Sequence, residues 1–241
     1  MQVSGKTILL TGGTDGIGRQ LAGQLKAKGA TVIVTGRTPE RINAAKAAGF
    51  EVIKADLSSR DGVDAILDAV KGRPIDILIN NAGLGSDHDF REAEPDLNDN
   101  DRCITANLNA PIHLITRLMP VLKSRPEAMI VNVTSGLAIA PRSGGPIYCA
   151  TKAGLRSYTM ALRHQLRGTG VHVLEALPPV VETKLTAGRG GKKKMPASEC
   201  AAQILDAIET NADEANVGMT KLLRIAESIS PALARKIMIN F

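Results

Sequence analysis

Six short runs of aliphatic and β-branched residues recur along the chain, and they restrict the fold more than any other feature. They cover Thr7–Thr11, Thr31–Thr35, Phe50–Lys54, Ile75–Ile79, Met129–Thr134 and Val171–Leu177. Most runs are almost continuously apolar instead of alternating, which is typical of strands buried on both faces of a sheet. Helical patterns separate them, at Ile17–Lys28, Pro39–Ala48, Arg60–Lys71, Arg102–Leu122 and Ala150–Arg167. The sequence therefore predicts an α/β fold with a single doubly wound parallel sheet and helices on both faces.

The 241 residues contain no Pro/Ser-rich linker, so we expect residues 1–241 to form a single domain. Pro111 and Pro120 lie inside the Arg102–Leu122 pattern, where we expect a kink or a break. A C-terminal helical segment over about 228–241 is also predicted, docked on the domain through one apolar face. That face consists of Ile229, Leu233, Ile237 and Met238.

A glycine-rich turn follows the first predicted strand directly. Its sequence is Gly12-Gly13-Thr14-Asp15-Gly16-Ile17-Gly18, and a helical pattern begins at its end. Glycines let the backbone approach a pyrophosphate closely, and a helix N-terminus offers free N–H groups. The spacing is GxxxGxG, and a tight turn alone would also use glycines, but the position after the first strand favours a dinucleotide site in a Rossmann fold. We expect contacts to the dinucleotide from Gly12, Thr14, Gly16, Ile17 and Gly18.

The end of the second strand indicates which dinucleotide binds. NAD sites usually carry an acid here for the ribose 2′-hydroxyl, whereas this chain has Val34-Thr35-Gly36-Arg37. A guanidinium can bind a 2′-phosphate bidentately and with full charge. We therefore predict NADP as the cofactor. NAD stays open as the alternative, because an exposed surface arginine would give the same sequence and Asp15 adds a negative charge nearby.

Tyr148 and Lys152 stand four residues apart, which places both on one face of a helix. The pKa of a free tyrosine is about 10, and a neighbouring ammonium lowers it, so the pair can act as a general acid/base near neutral pH. A packed tyrosine with a lysine reaching solvent would show the same spacing. Ser135, just past the fifth strand, and Asn107, in the preceding helical pattern, can also reach the carboxyl edge of the sheet, where ligands bind in such folds.

Motifs along nearly the whole chain carry a likeness to a known family. They are Thr11–Gly18, Asp56-Leu57, Asn80-Asn81-Ala82-Gly83, Asn107, Ser135, Tyr148 and Lys152. In their order and spacing the chain resembles the short-chain dehydrogenase/reductase family. A finer likeness to a bacterial subgroup labelled DltE-like is carried by Ser135–Ala138, Pro146–Ala153, Ala161–Leu166 and Pro178–Thr183. The resemblance implies an NAD(P)-dependent oxidoreductase that transfers a hydride between nicotinamide C4 and an alcohol or carbonyl substrate.

The same resemblance implies roles for individual residues. Tyr148 would exchange a proton with the substrate oxygen, Lys152 would lower the tyrosine pKa and bind the nicotinamide ribose, and Ser135 would orient the reacting oxygen. Asn107 would hold a water that completes a proton relay to Lys152, and Asp56 would meet the adenine. The cofactor cleft would also include Leu57, Asn81, Ala82, Gly83, Pro178, Val181 and Thr183. The alternative is a cofactor-binding regulator or scaffold without turnover, against which the intact Ser135, Tyr148 and Lys152 argue.

Two departures from the family pattern bear on the oligomeric state. Pro179 stands where the family usually has glycine after the sixth strand, and the C-terminal region lacks the glycine-rich ending that helps build the common tetramer. We therefore expect a homodimer that forms through the helices at Arg102–Leu122 and Ala150–Arg167.

Opposite charges concentrate in two segments of a chain whose formal charge is +6. In the family, the residues at about 183–197 form a mobile substrate lid, and here they carry Lys184, Arg189, Lys192, Lys193 and Lys194 with no acid between Thr183 and Met195. The segment Asp87–Asp101 carries seven acids and one base. Three interpretations stay open: two solvated loops, a lid that closes on an acidic counterpart, or a site for an anionic substrate such as an acyl group on an acidic carrier protein.

Several classes of partner are not expected. The chain has no tryptophan, two tyrosines and three phenylalanines, which leaves no stacking platform for nucleic acid. No apolar run approaches the roughly 20 residues that span a bilayer, and the four histidines show no metal-ligand spacing. Cys103, Cys149 and Cys200 form no CxxC pair and are typical of a reducing compartment. We expect a cytoplasmic protein that binds a small molecule.

Overall fold

The computed structural model describes residues 1–188 and 194–240, and its centre is a parallel sheet. The strands are β1 (Thr7–Leu10), β2 (Thr31–Gly36), β3 (Glu51–Lys54), β4 (Ile77–Asn80), β5 (Ala128–Val133), β6 (Val171–Leu177) and β7 (Glu214–Asn216). They pair in parallel in the order β3-β2-β1-β4-β5-β6-β7. The order reverses between β1 and β4, and such a reversal opens a ligand crevice at the carboxyl ends of the strands. The predicted doubly wound α/β fold is confirmed.

Helices cover both faces of the sheet. They are α1 (Gly16–Ala27), α2 (Pro39–Ala47), α3 (Arg60–Ala69), α4 (Leu97–Ile104), α5 (Ala110–Lys123), α6 (Pro146–Gln165), α7 (Ala197–Glu209), α8 (Thr220–Ile229) and α9 (Pro231–Met238). Ile8 and Leu10 pack in the core on the side of α1 and α7. Leu9, between them, packs on the side of α3, α5 and α6. This division explains why Ile8, Leu9 and Leu10 are apolar without alternation, since both faces of β1 are buried at these positions.

The predicted helix at Arg102–Leu122 is longer than expected and interrupted. It begins at Leu97 because the Asp96 side chain caps it, accepting a hydrogen bond from the backbone N–H of Asn98 at 2.8 Å. A π-helical turn at Thr105–Asn109 separates α4 from α5. Pro111 has no N–H, so it cannot donate to the carbonyl of Asn107 four residues earlier. The break expected from Pro111 lies at this turn.

The C-terminal segment forms two helices instead of one. Ser230 separates α8 from α9, and its side chain accepts a hydrogen bond from the N–H of Leu233 at 3.2 Å. The apolar face predicted to dock on the domain is largely exposed, with Ile229 77% and Leu233 48% exposed. Ala234 is the residue of α9 that is buried, so a small side chain makes the close contact. Within residues 1–188 and 194–240, no helix combines the length and apolar character needed to cross a membrane.

Candidate active site

A cavity of about 450 Å³ lies along the carboxyl ends of the strands. It brings together residues from the segments that follow β1, β2, β3, β4, β5 and β6. The sequence-predicted residues that line it are Gly12, Thr14, Gly16, Ile17, Arg37, Asp56, Leu57, Asn81, Ala82, Gly83, Ser135, Tyr148, Lys152, Pro178, Val181 and Thr183. Gly18 and Asn107 are not among the lining residues. Both are buried next to residues that line the cavity.

The glycine turn after β1 is shaped by close backbone contacts. Gly12 has φ +68°, and a Cβ there would lie 2.9 Å from the Cα of Ala82. A Cβ on Gly18 would lie 2.3 Å from the carbonyl oxygen of Gly12, so Gly18 lets α1 begin directly against the turn. The N-terminus of α1, which begins at Gly16, therefore faces the cavity. This arrangement fits the pyrophosphate of a dinucleotide.

Hydrogen bonds from Thr11 hold the turn after β4 against the turn after β1. The Thr11 Oγ1 accepts from the backbone N–H groups of Asn81 and Ala82, at 3.0 and 3.1 Å. The Asn81 side chain donates in turn to the carbonyl oxygen of Thr11 at 3.0 Å. The two turns therefore form one wall of the cavity at the point where the strand order reverses.

The side chain of Asn107 is fully buried and bonded to protein atoms. Its Oδ1 accepts from the N–H of Leu84, and its Nδ2 donates to the carbonyl of Leu84, both at 2.8 Å. The same Nδ2 lies 3.2 Å from Oγ1 of Thr151, a residue of α6. Asn107 therefore positions the segment after β4 next to α6. The backbone carbonyl of Asn107 has no α-helical donor, because Pro111 has no N–H.

Lys152 and Tyr148 lie on α6, where it passes the end of β5. The Lys152 Nζ donates to the carbonyl of Val133 at 2.8 Å and lies 5.7 Å from the centre of the Tyr148 ring. Lys152 is only 4% exposed. Burial disfavours its charged form and lowers the pKa of Lys152 to about 8. A lysine with this pKa can change its charge within the range in which enzymes work.

Ser135 follows β5 and faces the same cavity. Its Oγ accepts a hydrogen bond from the N–H of Leu137 at 3.1 Å, so the hydroxyl hydrogen is available to donate. A second cavity, of about 440 Å³, meets the first at Ser135 and Tyr148. Two cavities that meet at the hydroxyl groups of Ser135 and Tyr148 can bring two reactants into contact beside these groups.

Two arginines line the end of the first cavity away from Tyr148. Arg37, which the sequence predicted, pairs with Asp56 at 3.1 Å. Arg41 was missed, although it lies four residues further on, in the first turn of α2, and it pairs with Asp15 at 2.9 Å. Both line the cavity. The signal that could have identified Arg41 is its place in the first turn of the helix that begins just after Arg37.

The two charged segments are described only in part. Arg189, Lys192 and Lys193 lie outside the described residues. Lys184 lines the first cavity, and Lys194 donates to the carbonyl of Thr186. In the acidic segment, Asp87 pairs with Arg142 and Asp89 with Arg91. Some of the acids thus have partners of their own outside the basic segment.

A comparison with protein families decides the class of the chain. The family model described as short chain dehydrogenase matches residues 6–194. The chain belongs to the short-chain dehydrogenase/reductase family. Among curated proteins of this family, it is 41% identical over 189 residues to the uncharacterized oxidoreductase DltE of Bacillus subtilis (strain 168), which covers 77% of this chain and 75% of the relative. The predicted likeness to the DltE-like subgroup is confirmed.

Solved structures of short-chain dehydrogenases match the fold along most of the chain. A short-chain dehydrogenase from Burkholderia cenocepacia J2315, in complex with NADP, has a TM-score of 0.88 and 25% identity, and the match covers 99% of each chain. A short-chain dehydrogenase from Sphingobium yanoikuyae, in complex with NADPH, has a TM-score of 0.80 and 27% identity, covering 87% of this chain and 86% of that one.

Proposed function

We propose that this short-chain dehydrogenase/reductase interconverts a carbonyl and an alcohol with NADP(H), using Tyr148 as the proton donor and acceptor. Its class, an NAD(P)-dependent oxidoreductase, follows from the family match and agrees with the NADP-bound structural neighbours. One observation carries the proposal. The cavity that fits a dinucleotide ends at Tyr148 and Ser135, where a second cavity begins.

The residues at this junction divide the work of carbonyl reduction. When bound, the cofactor supplies the hydride from C4 of its nicotinamide. Ser135 donates its O–H to the substrate oxygen, since the bond that its Oγ accepts from the N–H of Leu137 does not use the hydroxyl hydrogen. Tyr148 gives its proton to the same oxygen as negative charge develops there. The Lys152 ammonium, held by the Val133 carbonyl, stabilises the negative charge that this transfer leaves on Tyr148.

Carbonyl reduction is expected to weaken at alkaline pH because Lys152 loses its proton. Its pKa is about 8, so the ammonium is present below that pH and is replaced by the neutral amine above it. The value of kcat/KM should be level up to about pH 7 and then fall, approaching about tenfold per pH unit above the pKa. The measurement is a pH profile at constant ionic strength. A profile that stays level to about pH 9.5 would contradict the role given to Lys152.

NADP is proposed over NAD because Arg37 and Arg41 both line the far end of the cofactor cavity. An Arg37→Asp variant should lower the ratio of kcat/KM with NADPH to that with NADH by about tenfold to a hundredfold, the range for loss of a charged hydrogen bond. Arg19→Asp is the matched control, since it makes the same change of charge at an exposed residue of α1 outside the cavity. An unchanged ratio in Arg37→Asp would refute the assignment.

The chemistry is tested by following NADPH and NADH oxidation over a panel of ketones, aldehydes, keto esters and quinones. Turnover of at least one uncharged carbonyl compound is expected. A protein that binds NADPH in calorimetry but oxidises it with no member of the panel would instead fit the alternative, a cofactor-binding regulator or scaffold.

The assembly is proposed to be a homodimer through the faces of α5 and α6, supported by the departures at Pro179 and the C-terminal region and by Met160 of α6, which is 50% exposed. A tetramer in light scattering would contradict it.

The single domain over residues 1–241 and the lid over about 183–197 are likewise proposals. Contacts of Lys184 and Thr186 with the cavities support the lid. The buried free thiols of Cys103, Cys149 and Cys200 support a reducing, cytoplasmic location.

A further inference from the structure

The second cavity has an apolar wall that the proposed chemistry does not use. Beyond Ser135 and Tyr148, its larger apolar side chains include Leu137, Val180, Met219, Leu222, Leu223 and Ile237. Most of these belong to α8, to α9 or to the residue just before α8. At about 440 Å³, the cavity lies within the range of roughly 300–1,000 Å³ that binds small organic ligands.

The charge in this cavity is neutralised within the protein. Arg142 is the one charged residue among the described residues that line it. Its side chain is 13% exposed and pairs with Asp87. A substrate carboxylate or phosphate would have to compete with Asp87 for this guanidinium, and a substrate ammonium would find no acid in the described lining. Placing an unpaired charge in such surroundings is costly.

The apolar residues of α8 and α9 are exposed although they line a cavity. Met219 is 68%, Leu222 57% and Ile237 55% exposed. Since these side chains also line the cavity, part of their exposed surface faces the space next to Ser135 and Tyr148. A hydrocarbon group placed there would remove this surface from water, which is favourable in proportion to the area covered.

We infer that the substrate is an uncharged, apolar ketone or aldehyde whose hydrocarbon part lies against α8 and α9 while its carbonyl oxygen meets Ser135 and Tyr148. The inference rests on the proposed function for its chemistry. Reduction adds a hydride from the nicotinamide to the carbonyl carbon and the Tyr148 proton to the oxygen, and it yields the secondary or primary alcohol and the oxidised cofactor. Among the described residues that line the cavity, the apolar wall is the feature that selects the substrate.

The test compares 2-alkanones of about five to about ten carbons with oxo acids of equal length that end in a carboxylate. With NADPH, kcat/KM should rise by about fourfold for each added methylene until the cavity is filled. The oxo acids should be poorer by at least tenfold at each length. A preference for the oxo acids, or a kcat/KM that does not depend on chain length, would overturn the inference.

Variants on α8 separate the cavity from the rest of the helix. Leu222→Asp places a carboxylate in the cavity. Because Leu222 is 57% exposed, its burial contributes little to the stability of the fold. It should lower kcat/KM for the longest alkanone by at least tenfold, and the loss should become smaller as the ketone is shortened. Ile225→Asp makes the same kind of change at a residue of α8 that is 55% exposed and does not line the cavity. It should stay within about twofold of the parent protein. Equal losses in both variants would count against the inference.

A binding measurement distinguishes failure of the inference from failure of the proposed function. Primary n-alkylamides resemble the ketones but are not reduced, and their affinity for the NADPH-loaded protein can be measured by calorimetry. Tighter binding with chain length, without turnover of any carbonyl, would support the apolar site and refute the oxidoreductase chemistry. Turnover of carbonyls without such a trend would refute the apolar site alone, and the absence of both would refute both.

Discussion

Replacing Tyr148 with phenylalanine is expected to lower kcat for carbonyl reduction by about a thousandfold, near the middle of the range for loss of a general acid. Phenylalanine keeps the aromatic ring. The distance of 5.7 Å between the ring centre and the Lys152 Nζ therefore need not change. Only the hydroxyl proposed to donate the proton is removed. The Kd for NADPH, measured by quenching or calorimetry, should change little, because the glycine turn and the arginines proposed to bind the cofactor are untouched.

Tyr158→Phe is the matched control for this experiment. Tyr158 is the other tyrosine of the chain, lies on the same helix and is partly buried. Its hydroxyl bonds to Thr116, while burial raises the pKa of Tyr158. Its removal should leave kcat within about twofold of the parent value. Activity of Tyr148→Phe within tenfold of the parent protein would show that another group supplies the proton.

Replacing Arg156 with methionine is expected to cost about 3–5 kcal/mol of the free energy of unfolding, the usual result of breaking a buried ion pair on one side. Arg156 of α6 pairs with Glu175 of β6 at 2.6 Å and with Glu214 of β7 at 3.2 Å. The Glu175 side chain is 0% exposed, and burial raises its pKa. Without Arg156, the carboxylate would stay buried without its cation. Urea unfolding monitored by circular dichroism gives the free energy.

Two comparisons show whether burial causes the loss. Arg224→Met removes a more exposed partner of Glu214 and should cost less than about 1 kcal/mol. Arg156→Met combined with Glu175→Gln removes both charges of the buried pair and should recover part of the stability. Since Thr134 donates to Glu175 at 2.7 Å and directly precedes Ser135, Arg156→Met should also lower kcat. A loss no larger than that of Arg224→Met would contradict the argument.

Much of the fold follows from local sequence, and its exceptions have physical reasons. The six predicted strands appear within a few residues of their expected limits. Most of them are buried and apolar, and β3, whose Glu51 and Lys54 are exposed, still has the β-branched Val52 and Ile53 at its centre. The seventh, Glu214–Asn216, was not predicted, since a three-residue strand at the edge of a sheet with Ala215 as its buried residue has no apolar pattern. The Arg156 bridge to Glu214 that supports this strand joins residues 58 positions apart, which sequence periodicity cannot reveal.

The candidate site divides in the same way. Motifs with fixed spacing, such as Tyr148 with Lys152, led to residues that the fold does bring together. The substrate side did not follow from the sequence. Leu222 and Ile237 fit the pattern of core residues on amphipathic helices, and only the packing of α8 and α9 shows that they face a cavity. Arg41 was not predicted because it lies in α2, whereas the residue that distinguishes NAD from NADP was expected at the end of β2.

The short turn after β6 makes the two chambers of the site depend on each other. Leu185 and Thr186 line both cavities, so these two residues can contact a ligand in either cavity. If the first ligand draws this turn inward, the second meets a surface that is already ordered and loses less conformational entropy. Linkage then requires that the substrate tighten the cofactor by the same factor as the cofactor tightens the substrate. The consequence is cooperative binding, in which the apolar chamber holds its ligand more tightly in the cofactor-loaded protein than in the free protein.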